Sequence, residues 1–185
     1  MPYATSSFAG LPRIRRLAFW LRLMCVLGAA AVLLTPLLLW TSDDWLLQVA
    51  SHQWEAGQQP LNLNPLTRGL GLASAALPGT AALLALWQLW SLFGCYARGR
   101  IFSAEPVLRL RRMGLALVAL APALPLSHTL SVLALTWQNP PGQRVLVVAL
   151  AFHHYLALMF GLVLLAMATV MAEATRVAEE NAEFV

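Results

Sequence analysis

Inside the long apolar runs of this chain, ionisable chemistry is confined to a few side chains, and histidine is the most informative of them. His128 sits in a polar cluster with Ser127, Thr129 and Ser131, just after Pro122 and Pro125. His153 and His154 are adjacent on the following run. Imidazoles titrate near neutral pH and are common ligands for metal or haem, and an ionisable group at membrane depth is a functional candidate by default. Counted along a helical hairpin at about 1.5 Å per residue, His128 and His154 are expected at nearly equal depth, about 10 Å below the outer surface. That level is the place for a haem, a metal ion or a proton relay. The spacing argues for the plainer reading, a pair of hydrogen-bonded interhelical histidines. No two of these residues stand three or four apart, and His153 and His154 point about 100° apart around a helix.

Other chemistry is sparse. Cys25 and Cys95 are isolated thiols that form no metal motif, and a reducing compartment disfavours a disulfide between them. No acid lies within any apolar run, as a proton- or ion-coupled carrier would need. There is no phosphate-binding loop, nucleophile elbow, paired-cysteine motif or HExxH sequence. The expectation is a protein that is not an enzyme and carries no cofactor.

The elements that hold these groups are set by composition. Apolar residues make up 59% of the chain and charged residues 11%, with a mean hydropathy of +0.68. A water-soluble domain carries about 25% charged residues. Four stretches exceed the roughly 20 apolar residues that span a bilayer as a helix, and nothing alternates with the period of two that a barrel strand needs. The expected fold is an all-α integral membrane protein of four transmembrane helices, at 17–40, 70–96, 113–137 and 146–171. The first run is too long for a cleaved leader and meets Trp40, Asp43 and Asp44 instead of a small-residue cleavage site.

Arginine orients the chain. All twelve basic residues are Arg, and ten of them fall before or at the start of the first run, between the second and third, or after the fourth. Arg68 and Arg144 alone occupy the other two connections. Short loops rich in arginine stay in the cytoplasm, so both termini are expected there, in the inner membrane of a bacterium. Segment 1–16 is then a cytoplasmic lead, 97–112 a cytoplasmic arginine-rich loop, and 172–185 an acidic cytoplasmic tail. Segments 41–69 and 138–145 face outward. Trp20, Trp87 and Trp90 mark one interface, and Trp40, Trp45, Trp54 and Trp137 the other, as amphipathic rings do. The longer outer loop should carry a short helix capped by Ser42 and stopped at Gly57, with Asp43 and Asp44 at its positive start. Small residues four apart, at Gly71, Ala75 and Gly79 and at Ala157 and Gly161, are candidates for close helix contacts.

The cytoplasmic loop carries the most specific sequence. Gly99 suits the turn out of the second span. Ile101 and Phe102 are apolar in a charged setting. Ser103 is a natural N-cap, with Pro106 still in the first turn of the helix it starts. Glu105 and Arg109 are spaced for an ion pair, as are Arg176 and Glu180. The alternative pairing joins Glu180 to Arg109 or Arg112 and closes the cytoplasmic face.

The stretch Leu92-Phe93, Tyr96, Gly99, Ile101-Phe102-Ser103, Glu105 and Leu110-Arg111-Arg112-Met113-Gly114 resembles the signature of a bacterial domain-of-unknown-function family of small four-span membrane proteins. The chain end, from Ala174 through Glu179-Glu180-Asn181 to Phe184-Val185, is similar to the family's closing motif. Pro106 departs from the polar residue of that pattern, and Ala174 from its glycine. Members of such a family are often encoded beside small helix-turn-helix regulators. The resemblance therefore implies a partner on the cytoplasmic side, with Gly99, Ile101, Phe102, Glu105, Arg109, Arg112, Glu180 and Asn181 as its candidate surface. Besides the lipid bilayer, the expected partners are such a regulator or a second copy of the chain in a homo-oligomer. Direct nucleic acid binding is not expected, since no basic patch is interleaved with stacking aromatics. A small transporter or a haem- or metal-binding protein using His128 and His154 is the alternative.

Overall fold

The structure is a computed structural model, and it describes residues 11–52, 61, 63–98, 104–140 and 143–183, of which side chains 11–15, 178–179 and 181–183 are excepted. Five helices account for most of it: α1 (Leu11–Thr41), α2 (Asp43–His52), α3 (Pro65–Ala97), α4 (Ala104–Thr136) and α5 (Phe152–Glu183). Helices α1, α3, α4 and α5 are long and apolar enough to cross a membrane. Each follows from an uninterrupted apolar run, because only a helix satisfies its own backbone in lipid.

The four long helices stand in a row. Helix α3 packs on α1 along one flank and on α4 along the other, and α5 packs on α4. The two end helices therefore present most of their apolar side chains outward, including Leu33, Leu37, Phe160 and Val163. Two seams hold the middle. Near the α3–α4 connection, Ala85, Leu92, Leu110, Met113, Ala116 and Ala168 interlock. At the other end Trp40, Leu46, Ala50 and Leu135 do so.

Helix α2 forms where the acid pair after Ser42 predicts it, and Ser42 supplies the carbonyl that accepts from Leu46 N–H at 3.0 Å. It buries Leu46 and Ala50, so one face of it covers the end of the row. Gly57, the expected stop, lies outside the described residues. Trp40 stands at the end of α1 as expected, but its ring is turned between helices and not outward: it is 1% exposed. A Cβ on Gly71 would stand 2.1 Å from its ring, so the indole is seated on bare glycine backbone. Leu110, in the second turn of α4, belongs to the core.

The largest departure concerns the fourth span. A helix is expected from residue 146, yet residues 143–151 are not helical and α5 starts at Phe152. Exposure alternates residue by residue from Val145 to Leu150, the signature of an extended chain lying on a surface. Two hydroxyls of α4 tie it there. Thr136 Oγ1 accepts from Val145 N–H at 3.2 Å and lies 3.4 Å from the Val145 carbonyl. Thr129 Oγ1 stands 2.8 Å from the Val147 carbonyl. The β-branched run Val145, Val147 and Val148 favours this conformation. His154 then ends it: its Nδ1 accepts from Ala151 N–H at 3.1 Å, while its own N–H donates to the Ala151 carbonyl at 3.0 Å.

Candidate functional site

Among the described residues, polar groups gather at a place within the helix row and at another at the end where α4 begins. The first is built on α4 after its proline pair. Ser131 Oγ lies 2.7 Å from Ser74 Oγ on α3, and Ser74 also donates to the Gly71 carbonyl at 2.8 Å. Both serines are buried. Beside Ser131 opens a pocket of about 430 Å³ between α1, α3 and α4, whose polar lining includes Thr35, Ser127, His128 and Ser131. Pro36 and Pro78 also line it. Each removes a backbone donor, so a carbonyl one turn earlier on α1 and on α3 loses its helical partner. Within the size range of ligand pockets, an apolar wall with a few convergent polar groups is the usual form.

His128 contributes to that pocket, and His154 does not. The extended stretch moves His154 away from the expected depth, because each extended residue advances about 3.3 Å against about 1.5 Å in a helix. Thr129, beside His128, already meets Val147, so His154 lies deeper than His128. The rings of His153 and His154 are 4.1 Å apart and nearly perpendicular. With Nδ1 accepting from a backbone amide, the remaining proton of a neutral His154 ring belongs on Nε2. Its geometry is that of a helix cap. Among the described residues no group of three or more His, Cys, Asp or Glu stands close enough to hold a metal ion.

The second place is the arginine-rich end. Glu105 and Arg109 pair at 3.5 Å, and Arg109 Nη1 also donates to Gln88 Oε1 on α3 at 3.3 Å. The expected i to i+4 spacing is thus realised, and it is tied to the neighbouring helix. Pro106 is buried in the first turn of α4. Glu180 does not reach Arg109 or Arg112. It accepts from Arg176 Nη1 at 2.6 Å, and Arg176 also pairs with Glu173. An intrahelical partner one turn away costs less side-chain order than a partner across the face. Arg111 and Arg112 are exposed on α4. Gly99, Ile101 and Phe102 lie outside the described residues, as does the side chain of Asn181. Gly114, at the end of the same signature stretch, meets α5: a Cβ there would lie 2.9 Å from the Gly161 carbonyl oxygen.

Four apolar membrane-crossing helices, a short end-capping helix and an intramembrane pocket define an all-helical, multi-pass membrane protein. The chain belongs to the family described as protein of unknown function (DUF2975), which it matches over residues 11–185. No curated protein and no solved structure matches it.

Proposed function

We propose that this protein is a non-enzymatic component of the bacterial inner membrane that binds a partner on its cytoplasmic face. The end bearing Arg111 and Arg112 is the cytoplasmic one, with both chain termini on that side. One observation supports the reading most directly. The acids described near this end are engaged within the fold, Glu105 with Arg109 and Glu173 and Glu180 with Arg176. Arg111 and Arg112 stand exposed on a rigid helix with no ion pair to any described residue. Two exposed guanidinium groups suit an acidic protein surface, such as that of a small regulator. The test is co-purification from solubilised membranes with Arg111→Gln and Arg112→Gln together. Loss of a cytoplasmic partner recovered by the parent protein is expected. Equal recovery would refute the assignment, provided a carboxy-terminal reporter shows unchanged threading.

The pocket beside His128 supports a second reading, a small transporter or ligand-binding membrane protein. Its specific observation is the extended stretch Val145–Ala151 held along α4 ahead of α5: non-helical backbone beside a cavity is characteristic of transport sites. A Soret band, or stoichiometric metal in the purified protein, lost on replacing His128, would favour it over the first.

A further inference from the structure

We infer that the groove between α1 and α3, on the side where the chain begins, binds one anionic phospholipid, with its phosphate on Arg22 and an acyl chain along the groove. The groove measures about 710 Å³ and is walled by Cys25, Val26, Ala29, Leu84 and Trp87 among other apolar side chains. At its end a second space of about 390 Å³ shares Val26 and Trp90 with it and adds Phe19, Arg22 and Ala97. The two together form an apolar channel with a cationic mouth, the outline of a lipid tail and its headgroup.

Arg22 needs an anion there. It sits on α1 (Leu11–Thr41) among Phe19, Leu23 and Val26, and a charge in such apolar surroundings requires a partner. Its guanidinium lies 4.1 Å over the Trp90 ring, which fixes the plane of the fork. Its Nε is shielded and has no hydrogen-bond partner among the described residues, and no described acid forms an ion pair with it. A Cβ on Gly94 would be 3.9 Å from Arg22 Nη2, so α3 offers no side chain at that point to fill the space beside the guanidinium. Planar guanidinium groups bind phosphate oxygens in pairs, and basic pockets between helices select anionic headgroups.

The test uses the whole protein in nanodiscs of equal parts phosphatidylglycerol and phosphatidylcholine, with retained lipids counted by native mass spectrometry as they are stripped. The parent protein should keep one phosphatidylglycerol in preference to phosphatidylcholine. Arg22→Gln should lower that preference at least about fivefold. Ala29→Phe, which fills the groove and leaves the charge, should lower retention of the lipid without changing helicity. Equal loss of both lipids from the parent, or an unchanged preference in Arg22→Gln, would show an arginine merely reaching for the interface and overturn the site. Should Arg22→Gln fail to fold, unchanged retention in Ala29→Phe overturns it alone.

Discussion

At the residue scale, glycine decides where helices touch. Gly114 and Gly161 bring the α4 and α5 backbones together: a Cβ on Gly161 would stand 2.8 Å from Val118 N, and one on Gly114 stands 2.9 Å from a carbonyl oxygen. Backbone cannot rotate away as a side chain can, so the helices must part. Gly114→Ala should destabilise the protein by about 1–3 kcal/mol, read as a lower midpoint in detergent denaturation. Gly69→Ala, with nothing within 4 Å of its Cβ, should have no such cost. Gly161 is legible in sequence from the small residue four positions earlier. Its partner Gly114 is not, because spacing along one helix says nothing of the helix opposite. Trp40 fails for the same reason: a tryptophan at a span end suits the interface, and only Gly71 on another helix shows why it is buried.

At the element scale the informative part is Val145–Ala151. Hydropathy reads a continuous span because a short apolar run fits a buried strand or a helix equally well. The β-branched residues and the two threonines facing them decide it, and those threonines sit on α4. Thr136 is fully buried; its Oγ1 accepts from Val145 N–H at 3.2 Å and donates to the Val132 carbonyl at 3.0 Å. Thr136→Val should leave the Val145 N–H unsatisfied and cost about 1–3 kcal/mol, while amide exchange at Val145–Val148 quickens. Thr136→Ser, which keeps the hydroxyl, should restore protection. If Thr136→Val leaves exchange there unchanged, the hydroxyl is not what holds the chain to α4. The same extension explains why His154 misses the depth that helical counting gives, and why the pocket beside His128 could not be assembled from spacing alone. Its walls come from three helices.

At the scale of the whole molecule, the four spans and their order along the chain are legible from apolar length. Their arrangement is not, since a closed bundle and an open row share the same hydropathy. Even the two arginines outside the main clusters have structural duties. Arg68 pairs with Asp43 and donates to the Trp40 carbonyl at 2.8 Å, and Arg144 donates from Nε to the Asn139 carbonyl at 3.1 Å and lies over Trp137. These tethers lock the ends of neighbouring helices, which a row needs because α1 and α5 are each held along one flank. Cysteine crosslinking distinguishes the two arrangements. Gly79 faces α1, with its Cβ position 3.9 Å from Val32 Cγ1, a separation within disulfide reach after small side-chain adjustment. In a background lacking Cys25 and Cys95, the pair Val32→Cys with Gly79→Cys should oxidise to an intramolecular crosslink. Leu33→Cys with Val163→Cys, on the exposed sides of the two end helices, should give none. An intramolecular product from that second pair would mean that α1 and α5 meet and the row closes into a bundle. A crosslink between two chains would place a second copy against an end helix.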